Sequence, residues 1–451
     1  MKKAMKILGV LLATVTASTT MLFAGCNGNQ DSEEYNGPID LNIDKNVSAT
    51  ISVGIQQSVS ERDTMNAFVT EFNKVYPNVK VDIVELEGNY TSALMAKVRT
   101  NTVPDVVWVR DEDVSYFAAN NFLLNLDSFI AADTEFKAED YYESMLNLGK
   151  MNLSGSQYML PRDYNKIIVY YNKDLFTNAG ISSDSEFYPK DDWTYEEFLS
   201  TCLQLKSNLP NGVYPVDAML TWAPIYNTFI RSFGGQIMDE NGKPAFDSEE
   251  AIKGLDAMNT LYSKGYTINP SHKTEDLFLS GKSVMWFSTR PSITAIEAQN
   301  LNYDAVTFPF VGEHGYIGTG ASGYAVASSS KNKTLAYIFT RTMLSKESQE
   351  AFSKTGNAVP VRLDLAEKGK WLESPNDILF FNHYAFVKHP ERDSLTDYLV
   401  NVNADYTADI NSKIIDLLDR YMGWSDPNTT KDRAAEIADV KADMNRILTS
   451  D

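Results

Sequence analysis

At 451 residues the chain is longer than a single core usually grows, so two domains are expected, and 43% hydrophobic with 12% aromatic content can fill both. The formal charge of −20 argues against nucleic acid and against docking on anionic lipid head groups. Two cysteines and four dispersed histidines provide no disulfide framework and no Cys/His metal set, so neither a metal nor a cofactor is expected.

Residues 1–25 read as a targeting segment. Lys2, Lys3 and Lys6 precede the apolar stretch Ile7–Phe23, and Ala24-Gly25-Cys26 closes it. This is similar to a bacterial lipoprotein signal peptide, with Cys26 the lipidated, palmitate-bearing first residue; an uncleaved transmembrane anchor is the alternative. Residues 26–46, rich in Asn, Gly, Asp and Glu, read as a flexible tether.

Alternation in Ala49–Gly54 predicts a first strand. Ser60 is the expected cap of a helix with Met65, Phe68, Val69, Phe72 and Val75 on one face. Val79–Glu85, the amphipathic Tyr90–Thr100 and the apolar Val106–Val109 complete a βαβαβ order. That order implies parallel strands buried on both faces, with ligands beyond their carboxyl ends. The residues just past those ends are candidates for a site: Gln56, Gln57, Glu87, and Arg110 to Asp113.

Ile167–Tyr171, crowded with β-branched and aromatic residues, predicts a buried strand that connects two lobes. Thr194 and Glu197 spell a capping box, and Phe198, Cys202 and Leu205 form that helix's inner face, which makes Cys202 a structural thiol. Trp222, Tyr226 and Phe229 share a helical face, Asn241-Gly242 marks a hairpin, and Asp247 is the expected cap of the next helix. Gly281–Phe287 is a strand, Asp304–Ala327 a strand, turn and strand, and Thr334–Phe352 a helix. The remainder is mainly helical, with Asp409–Met422 and Lys431–Leu448 the longest periodic stretches.

Enzyme signals are weak. Gly318-x-Gly320-x-x-Gly323 matches a dinucleotide fingerprint, but the strand-like Tyr324–Ala327 follows where a helix should open. The acidic pairs Asp111/Asp113 and Asp191/Asp192 have the residue types for glycosyl acid–base work, yet such pairs in so acidic a chain are usually solvated faces. No catalytic residue is assigned. Aromatic placement says more: Trp108, Trp222 and Trp286 each fall near an element end. A flat ring there can receive the apolar face of a sugar while carboxylates, amides and arginines satisfy its hydroxyl rim.

The stretch Gln157–Ile181, with Leu160-Pro161, an apolar strand and Tyr171-Asn-Lys-Asp-Leu-Phe176, resembles the hinge region of the family-1 extracellular solute-binding proteins, the sugar-capturing subunits of bacterial ABC importers. Thr102–Val107, Phe122–Ile130, Trp193–Phe198, Phe278–Trp286 and Tyr324–Gln349 resemble further family segments in the family's order. The resemblance implies an α/β, two-lobed periplasmic-binding-protein fold of type II, its doubly wound lobes joined by crossing hinge strands. The lobes expected are 47–161 with 306–355, and 162–305 with 356–451. It also implies carbohydrate contacts at Gln56, Gln57, Trp108, Arg110, Asp111, Arg162, Asp163, Trp222, Trp286, Arg290, Gly320 and Tyr324. Arg110, Arg162, Arg231 and Arg290 near this cleft leave an acidic sugar open. The implied protein is a non-enzymatic monomer, anchored through Cys26 on the outer face of the cell membrane, that delivers sugar to ABC transporter permease subunits. The alternatives are a carbohydrate-active enzyme and a receptor for polyamine, peptide or iron.

Overall fold

A computed structural model describes residues 35–153, 155–354, 358–366, 382–396, 398–399, 402 and 406–449. The targeting segment, Cys26 and the tether as far as residue 34 lie outside the described residues. Thirteen strands are described, numbered in chain order. The first four are β1 (Ala49–Gln56), β2 (Val79–Leu86), β3 (Val106–Arg110) and β4 (Met159–Pro161). Next come β5 (Asp163–Lys166), β6 (Ile168–Asn172), β7 (Tyr214–Asp217) and β8 (Ser283–Ser288). The last five are β9 (Tyr303–Thr307), β10 (Ile317–Gly320), β11 (Ser322–Val326), β12 (Val359–Pro360) and β13 (Asp393–Leu395).

They form three sheets. The first has the order β2-β1-β3-β11-β4, with β1 parallel to β2 and β3, and β11 running back antiparallel between β3 and β4. Ile51, Val53 and Ile55 alternate inward from β1, and the helix Val59–Val75 covers the sheet with Met65, Phe68 and Phe72. The second sheet, β7-β8-β6-β9, is mixed. Between them a small sheet, β12-β5-β10-β13, collects the strands that pass from one half to the other.

One apolar cluster surrounds the first sheet and continues onto the face of the second sheet that carries Ile168, Tyr170 and Trp286. Another fills the opposite face with Ile167, Val169 and Tyr171 and takes in the C-terminal helices Thr407–Met422 and Arg433–Leu448. Cys202 is fully buried there. No helix among the described residues is long and apolar enough to cross a membrane.

Four details differ from expectation. The connector is the polar β5; the apolar run forms β6, buried along its length between β8 and β9. The first helix is capped by Ser58, whose hydroxyl accepts from the Glu61 N–H at 3.1 Å, and not by Ser60. Ser248 rather than Asp247 caps Glu249–Ser263; Asp247 instead pairs with Lys441 at 2.7 Å. Residues 358–366, assigned to the second lobe, pack around the first sheet through Val359, Val361 and Ala366 because β12 is tied to β5.

Candidate functional site

The carboxyl ends of β1, β3 and β4 and the start of β11 meet along one edge of the first sheet, because the ladder sets Ser322 opposite Arg110 and Gly323 opposite Pro161. Gln56 ends β1 and Gln57 follows it, both exposed at this edge. Arg110 leads directly into the helix Asp111–Ala119, whose first turn holds Asp111, Glu112 and Asp113, where the helix dipole favours carboxylates. Arg110 Nε donates to Asp113 at 2.9 Å, Nη2 donates to Thr91 at 3.1 Å, and Nη1 lies 2.5 Å from Glu112. Asp111 is held differently. Its Oδ1 accepts from the Glu112 N–H at 2.9 Å and its Oδ2 from the Ala321 N–H at 3.3 Å, while its own N–H donates to the Ala321 carbonyl. Burial, then the Glu112 charge, pushes the Asp111 carboxyl up to about 7.

Arg162 follows β4 and is buried. Its guanidinium grips Glu61 through two 2.6 Å hydrogen bonds, donates to the Tyr324 hydroxyl at 3.0 Å, and reaches Asp163 and Ser322 through Nε at 3.1 Å each. The rings of Trp108, Tyr324 and Phe352 surround it at 5.9, 5.6 and 5.6 Å. Burial opposes its charge, but Glu61, Tyr324 and Asp163 outweigh burial and keep it protonated. Burial pushes the Asp163 carboxyl up, against the pull of Arg162 and of the Ser322 N–H and hydroxyl. Arg162 and Asp163 thus brace the first helix, the crossing strand and β11 against one another.

Trp108 and Tyr324 are ladder partners, and Trp108 stands edge-on to Tyr90 at 5.0 Å. Neither Trp108 nor Trp286 closes its strand. Both are buried within their ladders, and neither indole N–H finds a protein partner among the described residues. Trp286 pairs with Tyr170 and Asp217 in the second sheet and stacks on Phe278 at 5.6 Å. Arg290, also buried, has Nη1 2.9 Å from His383 Nδ1. Burial, then the Arg290 charge, pulls His383 down to about 3, so its imidazole is neutral and accepts from the guanidinium. No described hydrogen bond joins Trp286 or Arg290 to the first sheet's edge.

Trp222 is the one predicted tryptophan with exposed surface, at the N-cap of the helix Ala223–Ser232. One turn on, Tyr226 shares a 2.7 Å hydrogen bond with Tyr398. Burial, together with the Glu112 charge and against that hydrogen bond, pushes the Tyr226 phenol up to about 12. Two residues apart on β10, Gly320 stands beside the Asp111 carboxylate and Gly318 against the Pro224 carbonyl in the first turn of this helix, so β10 brings the polar edge of the first sheet close to the Trp222 end of the helix.

Gly318, Gly320 and Gly323 run through β10 and β11 and open no helix. Two of them allow close approach. A Cβ at Gly318 would stand 2.5 Å from Ile167 and 2.7 Å from the Pro224 carbonyl, and one at Gly323 would stand 2.2 Å from the Leu160 carbonyl. Gly320 lies beside the Asp111 carboxylate. The other acidic pair is dispersed: Asp191 binds Lys388 at 2.5 Å, and Asp192 binds His389. His389 and Asp192 line a separate pocket of about 340 Å³, none of whose lining residues belongs to the edge group. Glu61, Thr91, Ser322 and Tyr398 were missed. Glu61 was signalled by its place in the first turn after β1, whereas Tyr398, far along the tail, carried no signal.

The model of the family described as bacterial extracellular solute-binding protein matches residues 58–350. The diacetylchitobiose binding protein DasA of Streptomyces coelicolor is 23% identical over 378 residues, 78% of this chain and 81% of that protein. Among solved structures, an ABC substrate-binding protein from Listeria monocytogenes in complex with cycloalternan superposes with a TM-score of 0.73 at 19% identity, over 89% of this chain and 99% of that one. The sugar-binding protein MalE from Xanthomonas citri gives a TM-score of 0.73 at 17% identity, over 88% and 97%. The fold is that of the two-lobed, type II periplasmic binding proteins.

Proposed function

Because the chain belongs to the bacterial extracellular solute-binding protein family, we propose that it is the sugar receptor of an ABC importer, holding a mono- or oligosaccharide between its lobes and passing it unaltered to the permease. The observation that carries this is that β10 brings the polar edge from Arg110 to Asp113 close to the helix that begins at the partly exposed Trp222. A sugar needs an aromatic platform for its C–H face and paired polar groups for its hydroxyls. Gln56, Gln57, Arg110, Asp111, Gly320 and Trp222 retain exposed surface and are the proposed contacts, with Trp108, Arg162, Asp163 and Tyr324 bracing them from behind.

Sugar that binds the closed form more tightly than the open one drives closure about the hinge sheet. No reaction is catalysed, and Asp113 serves to hold Arg110 and Thr91 in place. The protein acts as a monomer tethered through Cys26. Titration with a sugar panel tests this: saturable change in Trp emission is expected, and a sugar at 100 times its Kd adds about 2.7 kcal/mol of stability. A panel of neutral and acidic sugars that shifts neither emission nor Tm sinks the proposal, and product formed from oligosaccharides turns it toward an enzyme.

A further inference from the structure

We propose that this cleft selects its sugar by charge, admitting neutral and amino sugars and refusing uronic, sialylated and phosphorylated ones. The proposal rests on the receptor function above. Four arginines near the cleft leave an acidic guest open on sequence alone, but in the folded chain each already has a partner. Arg110 is engaged by Asp113, Glu112 and Thr91, and Arg162 by Glu61 and Asp163. Arg231 donates to the Leu395 carbonyl at 3.1 Å and lies over the Tyr316 ring. Arg290 is bound to His383 beneath the Phe386 ring. Lys273, in the second half, is bound to the buried Asp217 at 2.6 Å.

An acidic guest at the first sheet's edge can therefore recruit Arg110 or Arg162 only by displacing a protein carboxylate. In the case of Arg162 that would strand Glu61 and Asp163 without a counter-charge in a largely buried site, a costly exchange. It would also approach like charge. Along this edge Glu61, Asp111, Glu112, Asp113 and Asp163 outnumber Arg110 and Arg162, and Asp111 is the carboxylate whose hydrogen bonds come from backbone N–H groups alone. Each Asp111 oxygen accepts one described bond, which leaves lone pairs for a hydroxyl or an ammonium, and once ionised the carboxylate offers a guest anion no donor. Like charges placed together across an interface weigh heavily against the wrong partner.

The test is a glycan array carrying neutral, amino, uronic, sialylated and phosphorylated oligosaccharides, followed by calorimetry of the strongest hit beside its C6-oxidised uronate. Signals confined to the neutral and amino classes are expected, with the uronate weaker by about tenfold or more, a difference of roughly 1.4 kcal/mol. An acidic glycan that binds as well as its neutral counterpart overturns the charge selection and leaves the receptor standing; a blank array overturns both. In the variant carrying Asp111→Asn with Glu112→Gln, the neutral-to-uronate ratio should fall severalfold. An unchanged ratio removes these carboxylates as its cause.

Discussion

Asp111 concentrates the chemistry of this edge at a single carboxyl. Burial and the neighbouring Glu112 raise it from the ordinary 3.8 to about 7, so the folded chain holds this proton more tightly than the unfolded one. Its contribution to folding is then complete below the unfolded value and is lost as pH climbs from about 4 to about 7. Asp111→Asn should flatten the stability profile across that window and gain about 1 kcal/mol at pH 8, less than the full shift because part of the side chain faces water. Urea titrations at pH 5 and pH 8 check this, and an unchanged pH slope in the variant would contradict it. At this scale the sequence placed Arg110 and Asp111 at a strand end through its strand–helix order, and Arg162 and Asp163 through the resemblance alone. It could not say that Arg162 would be used internally, because Glu61 reaches it only after the first helix has docked on the sheet.

Elements were legible where one local pattern had one solution. Thr194 and Glu197 form both reciprocal bonds of a capping box, as their spacing predicts. Ser58-x-x-Glu61 and Ser60-x-x-Asp63 both fit the same pattern, and the end of β1 decides for Ser58. Nothing local reveals why Gly318 is glycine. It sits where β10 passes under the helix Ala223–Ser232, so an added methyl would press on the Pro224 carbonyl and the Thr228 hydroxyl, at 2.7 and 2.9 Å. Backbone cannot step aside as a flexible side chain can, and overpacking of this kind costs about 1–3 kcal/mol. Gly318→Ala should accordingly lower the urea midpoint without changing the slope, whereas an unmoved midpoint would show that helix and crossing strand yield freely.

Two lobes follow from chain length and from the restart of strand–helix units, yet the third strand of the hinge was hidden. β13 is only Asp393–Leu395, too short to show any periodicity, and its position is fixed by a distant partner. Lys166, fully buried at the end of β5, donates to Asp393 at 2.7 Å and to the Lys388 and His389 carbonyls at 2.6 and 3.1 Å, which occupies all three of its protons. Asp393 in turn accepts from the Tyr164 hydroxyl at 2.9 Å and from Thr319 of β10 at 3.2 Å. Burial pulls the lysine down and pushes the aspartate up, and their mutual attraction opposes both shifts. Such a pair adds little net stability over an apolar substitute, but half of it is costly. Lys166→Met alone should therefore destabilise the protein by about 3–5 kcal/mol, and Lys166→Met with Asp393→Leu should recover most of that loss. A double-mutant cycle in urea measures the coupling. Additive losses would mean that β5 and β13 are held by backbone pairing and packing, and that hinge bending need not carry this ion pair with it.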